Sequence, residues 1–185
     1  MLSKNIAIWC FLFFSFLWTV NAQTLSAPWI ELDIPEASWE KQDTSDFPLV
    51  KEGSWFGLNY FSSFLSDSEE IIAVQIFRFS WKWNETRFMS NMIKKRRGNT
   101  ILTNIKKELL QNDMHISWPV FFDTGSIGNY GLITYKFNDL QMWGSLCIYP
   151  SAPKSRDLFM IQILSYEKSV IEAKNICRSM KYMTE

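Results

Sequence analysis

Three apolar, ring-rich stretches follow one another late in the chain, at 132–137, 141–149 and 157–164. Asn138-Asp139 separates the first two with turn chemistry, and Pro150 ends the second. Beyond them Val170, Ile171, Ala173, Ile176, Cys177 and Met180 recur at helical spacing. The pattern predicts three consecutive strands within 131–165 and a closing helix over 167–182, its apolar face lying on them.

Upstream, Ile30, Leu32 and Ile34 alternate with Glu31 and Asp33, the signature of a half-buried strand that Pro35 ends. The segment 23–28 carries little pattern and reads as a lead. The acid-rich stretch 36–47, which includes Trp39, reads as loop. Residues 49–60 mix Gly53 and Gly57 with Trp55, Phe56 and Tyr60, which fits a bent strand or an ordered loop. The serine-rich stretch 61–70 reads as a turn. Residues 71–83 form the longest β-type run, apolar on both faces at its start, which places it centrally in a sheet.

Helical pairs Phe88/Met92 and Met89/Ile93 follow, with Asn84 or Thr86 as N-cap and Gly98 as the stop. Ile101, Ile105 and Leu109 predict a second helix from Asn99 or Thr100 to Asn112. Residues 116–122 are strand-like, and Pro119 assigns them to a sheet edge. Gly125, Gly128 and Asn129 read as a loop. The order predicts a single α+β domain over 23–185, its body from about 28 to 183, with a mostly antiparallel sheet covered by helices.

Residues 1–22 stand apart from that domain. Lys4 precedes an apolar run over 6–17, and Val20-Asn21-Ala22 supplies the compact residues of a cleavage site. The run is shorter than the roughly 20 residues of a membrane span. The expectation is a signal peptide cleaved near Ala22, with a periplasmic or extracellular product. The chain holds 19 bases and 19 acids; removing Lys4 leaves 18 bases against 19 acids. Near-neutral charge argues against nucleic acid as the partner.

Removing Cys10 leaves Cys147 and Cys177. In an exported chain this pair suggests a structural disulfide between a strand and the closing helix, contributing roughly 3–4 kcal/mol by loop closure. Two buried free thiols are the alternative.

Leu32-Asp33-Ile34-Pro35 followed by Trp39, and 159–164 leading into the amphipathic stretch 168–179, resemble the opening and ending of the PsbP-like fold. That family of α/β/α sandwiches includes extrinsic photosystem proteins, Ran-binding Mog-type proteins and small exported bacterial proteins. The resemblance implies an accessory or binding role with a protein partner. The family shares no catalytic residues, so none is carried over.

Candidate chemistry is sparse. The only histidine is His115, so a triad or a multi-histidine metal site lacks its parts. Glu36, Glu40, Asp43 and Asp46 lack EF-hand spacing, and Gly125-Ser126-Ile127-Gly128 lacks the Lys-Ser/Thr of a phosphate loop. Asn84-Glu85-Thr86 is a glycosylation sequon. Two groups remain as partner surfaces: Trp81 and Trp83 on one strand face, and the basic set Lys94, Lys95, Arg96, Arg97, Lys106 and Lys107. The expectation is therefore a non-enzymatic exported binding protein that needs no metal or cofactor. Recognition of an anionic glycan or membrane surface through the basic helices, and a small hydrolase, are the alternatives.

Overall fold

The computed structural model describes residues 22–42, 57–80, 83–97, 102–103, 105–107, 110, 114–116, 121–137, 140–152, 155 and 157–183. The leader expected at 1–22 falls outside them except for Ala22, as do Trp55, Phe56, Trp81, Gly98, Trp118, Pro119 and the Asn138-Asp139 turn.

The three late stretches form strands β8 (Gly128–Phe137), β9 (Met142–Tyr149) and β10 (Asp157–Tyr166), each antiparallel to the next. A single 3-10 turn leads into the closing helix α2 (Val170–Ser179). That helix is shorter than its apolar pattern, because the chain turns extended at Met180 and adds strand β11 (Lys181–Tyr182).

The long run is strand β5 (Ile71–Ser80), paired on both sides, by β10 and by β4 (Gly57–Ser66). The central position expected from its two apolar faces is the one observed. Two readings upstream are corrected. The serines read as a turn lie inside β4, where Ser62 and Ser63 are buried and alternate with Phe61 and Phe64, which pack on opposite faces. The acid-rich loop contains β3 (Trp39–Gln42), an edge strand held to β4 by its backbone and carrying no apolar signal except Trp39.

The large sheet runs β3-β4-β5-β10-β9-β8-β6, with β6 (Met114–Ile116) and β7 (Phe121–Gly125) both pairing with β8. The edge position expected for this region holds, its described residues falling in two strands, and Pro119 lies outside the described residues. A second sheet, β1-β2-β11, consists of β1 (Ala22–Ala27), β2 (Ile30–Pro35) and β11. The lead at 23–28 is thus a strand. Its signal is faint because only Leu25 and Ala27 are buried among polar residues.

Two cores follow from the pleat. On one face of the large sheet, Val74, Ile76, Leu132, Cys147, Ile161 and Ile163 meet Ile30, Leu32 and Ile34 of β2 and Ala173, Ile176 and Cys177 of α2. On the other, Phe77, Phe79, Ile133, Leu146 and Met160 meet Ile93 of α1 (Trp83–Lys94) and Leu102 and Ile105 of a further helical stretch. Each such Val, Leu, Ile, Phe or Met side chain contributes roughly 1.5–3 kcal/mol when fully buried. The molecule is therefore a helix–sheet–helix sandwich of α+β class, with the small sheet beside the closing helix.

The sequence reading missed Leu102, which lies outside the Ile101/Ile105/Leu109 repeat. Its Cδ2 lies 2.6 Å from where a Cβ on Gly131 would sit, so glycine there lets helix and strand approach closely.

Candidate functional site

The β7–β8 hairpin closes with only Ser126 and Ile127 between the paired Gly125 and Gly128, a tighter turn than the loop expected from its glycines. Gly128 has φ 99°, open to glycine at no steric cost. The ends of two helices grip this tip from the two faces of the sheet. From one face, the Ser126 N–H donates to the Arg178 carbonyl at 2.8 Å. A Cβ on Gly125 would stand 2.6 Å from that same carbonyl oxygen.

From the other face comes the C-terminus of α1. Arg97 N–H reaches the Met92 carbonyl at 2.8 Å and Arg96 N–H reaches Ile93 at 2.9 Å, the pair of bonds of a Schellman stop. Arg96 occupies the left-handed position, φ 55°, where glycine is usual. Its guanidinium supplies compensation by donating from Nε to Asn129 Oδ1 at 3.0 Å and from Nη2 to Thr124 Oγ1 at 2.7 Å. Asn129 Nδ2 returns a bond to the Lys94 carbonyl at 2.8 Å. The helix thus ends before the expected stop at Gly98.

Asp123 sits beside this junction. It pairs with Arg178 at 2.9 Å and accepts from Tyr130 Oη at 3.2 Å. Burial works to raise its pKa, but the Thr124 N–H, Arg178 and Tyr130 outweigh that and hold it below the ordinary 3.8. The hydrogen bond to Asp123 raises Arg178, and burial followed by the Asp123 charge raises Tyr130.

The same half of the molecule carries the disulfide. Cys147 of β9 is bonded to Cys177 of α2 with Cα atoms 6.3 Å apart, as the pairing of these two residues predicted. Tyr149 Oη donates to the Cys177 carbonyl at 2.7 Å, and Tyr182 donates to the Pro150 carbonyl.

The basic run divides. Arg96 is spent on the hairpin. Lys94, Lys95 and Arg97 are exposed and form no ion pair among the described residues. Phe88, 62% exposed, stands two helical turns before Lys95 on α1 and gives this surface an apolar point. Lys107 is exposed and Lys106 half-buried in the later helical stretch. Trp83 opens α1 rather than sharing a strand with Trp81, and its side chain lies outside the described residues. His115 is exposed on β6 opposite Lys136, with no hydrogen bond or ion pair among the described residues.

The other half of the large sheet is chemically different. Ser62 Oγ, Gln75 Oε1, Thr134 Oγ1, Tyr135 Oη, Trp143 Nε1, Ser145 Oγ, Gln162 Nε2 and Oε1, and Ser165 Oγ are all buried and find no partner among the described residues. An unsatisfied buried polar group costs about 1–3 kcal/mol.

No protein-family model matches the chain, and no curated protein matches it. Among solved structures, the chain is similar to cyanobacterial PsbP from Synechocystis. The TM-score is 0.49 at 10% identity, over 91% of this chain and 96% of that one. That protein bears the name of the family which the two ends of the sequence resemble. The likeness carries no residue, ligand or activity across.

Sequence reasoning found the basic run and the cysteines but missed the junction around Arg96. Its partners Thr124 and Asn129 lie 28 and 33 residues away. The missed signal was the short polar cluster Asp123-Thr124 and Asn129 around two glycines, which marks a tight hairpin with side chains free to cap a neighbour.

Proposed function

We propose that this is an exported, non-enzymatic binding domain that docks an acidic protein partner on the end of α1. The observation that carries this reading is the disposition of the basic run. Arg96 fixes the helix end to the β7–β8 hairpin, while Lys94, Lys95 and Arg97 stay exposed, Lys95 two turns from the exposed Phe88 on the same helix face. An exposed aromatic side chain near cationic side chains on a rigid element suits an acidic protein surface. The disulfide supports export, because such bonds persist in oxidising compartments. Among the described residues no helix is long and apolar enough to cross a membrane.

The test is site-specific photo-crosslinking from position 88 in the native host envelope, with and without Lys95→Glu plus Arg97→Glu. A discrete protein adduct lost on charge reversal, with the circular dichroism spectrum unchanged, supports the reading. An adduct indifferent to charge reversal contradicts it. Salt-sensitive binding of the purified domain to anionic vesicles or sulfated glycan, with no protein adduct, transfers the surface to the anionic-surface alternative.

A further inference from the structure

The helix-covered face carrying Phe77 and Met160 holds a row of neutral polar side chains in register. Gln42 of β3 stands opposite Ser63 of β4, Ser63 opposite Gln75 of β5, and Gln75 opposite Gln162 of β10. Directly paired residues share a face, so the four side chains form one line across four strands. Exposure alternates along the line: Gln42 and Gln75 are half-buried, whereas Ser63 and Gln162 are buried.

Little of the row's hydrogen-bonding capacity is used internally. Gln75 Nε2 donates to Ser63 Oγ at 3.4 Å, a long contact. Gln75 Oε1 and both amide atoms of Gln162 have no partner among the described residues. Tyr135 adds a fourth group. It stands on the same face, opposite Gly144, and its hydroxyl lies 2.5 Å from where a Cβ on that glycine would be. Gly144 therefore leaves the room that lets the ring lie across β9 toward β10. The Tyr135 hydroxyl is also unpartnered, and burial raises its pKa, so it remains neutral.

Charge is the deciding feature. On this face β4, β5, β10, β9 and β8 present no ionisable side chain except the buried Tyr135 phenol, and the exposed Glu40 of the edge strand β3 stands beside Gln42. An ionic ligand at Gln162 would lose its hydration with no counter-charge on these five strands, and an anion would also meet the Glu40 carboxylate. A neutral group would lose far less. The amide of Gln162 offers one donor and one acceptor side by side, and its complement is another amide edge presenting acceptor and donor in the same order.

We propose that this row is a binding site for an uncharged molecule carrying an amide or lactam edge, seated against Gln162 and Gln75 and entered at Gln75, which keeps partial exposure. Gln162 reads the donor–acceptor pair, and Gln75 Oε1 accepts a further N–H. Tyr135 shares this face two strands beyond Gln162. The proposal is independent of the basic surface on α1.

The probes are acetamide and 2-pyrrolidinone, with acetate as the charged isostere. Their titration into the oxidised, isotopically labelled protein is followed through the side-chain amide resonances of Gln75 and Gln162. The expected result is a saturable shift at both glutamines with the two amides, and at least a tenfold weaker response to acetate. Gln162→Leu, with its fold checked by circular dichroism, should abolish the shift at Gln75 while leaving resonances of the β7–β8 hairpin in place. Equal response to acetate, no saturable shift, or a Gln75 response that survives Gln162→Leu overturns the proposal. So does a high-resolution structure from amide-soaked crystals in which only water occupies the row.

Discussion

The two halves of the large sheet treat buried polar groups in opposite ways. At the half near the hairpin tip they are matched. The buried Tyr149 bonds the Cys177 carbonyl and the buried Tyr130 bonds Asp123, while at the exposed tip Arg178 bonds Asp123 and Arg96 bonds Thr124 and Asn129. At the other half, Tyr135, Gln162, Ser145 and Ser165 are buried with no partner among the described residues. The same side-chain types serve as structural ties in one place and stand uncommitted in the other. The difference teaches where this molecule ties its polar groups into the fold and where it leaves them unpaired.

The comparison is broken most forcefully at the disulfide. Replacing Cys147 and Cys177 by Ala should remove roughly 3–4 kcal/mol, the loop-closure contribution for residues 30 apart. At about 2–4 °C per kcal/mol for a chain of this size, thermal unfolding should fall by about 10 °C. Reduction of the native protein should raise its mass by about two daltons, one hydrogen per sulfur. An unchanged midpoint would remove the tie from the account of this half.

Gly125→Ala tests the grip of α2 on the hairpin. Its new methyl would meet the Arg178 carbonyl at 2.6 Å, backbone against side chain, so one of them must move. The expected loss is about 1–3 kcal/mol by denaturant unfolding, the usual range for overpacking. Arg96 sharpens the opposite side of the tip. Arg96→Ala removes the bonds to Thr124 and Asn129 and keeps the left-handed strain, whereas Arg96→Gly removes both. The glycine variant should therefore be the more stable of the two, by about 1 kcal/mol. Equal stabilities would mean the backbone there carries no strain.

The Asp123 ion pair has a defined pH window. Its folded pKa lies below the ordinary 3.8, so its contribution is present above that value and is lost as pH falls through the folded pKa. Comparing native protein with Asp123→Asn, the stability gap should persist at neutral pH and close below about pH 4. A gap independent of pH would reassign the effect to packing.

Much of the fold was legible because its signals are local. The alternation at Ile30, Leu32 and Ile34, the long run at 71–80 and the three late stretches each declare a strand within a few residues. The cysteines declare their bond because only Cys147 and Cys177 lie beyond the apolar run at 6–17 that holds Cys10. What escaped depends on distant partners. The strand β3 is held by the backbone of β4, and its polar side chains give no period. Ser62 and Ser63 look like turn residues until β3 and β5 flank them. The basic run looks uniformly solvated, yet Arg96 is turned onto a hairpin that begins far downstream. The row from Gln42 to Gln162 is assembled from four separate strands, so no window of sequence contains it.

The most direct test removes one hydroxyl from each half. Tyr149→Phe deletes the 2.7 Å bond to the Cys177 carbonyl, while Tyr135→Phe deletes a hydroxyl that has no partner among the described residues. Both are buried phenols on the same sheet, so the hydrophobic change is matched. Denaturant unfolding of the two variants without added ligand should show a loss of about 1–1.5 kcal/mol for Tyr149→Phe and a change within about 0.5 kcal/mol of zero, or a gain, for Tyr135→Phe. Equal losses from the two would contradict the division of this sheet into a committed and an uncommitted half.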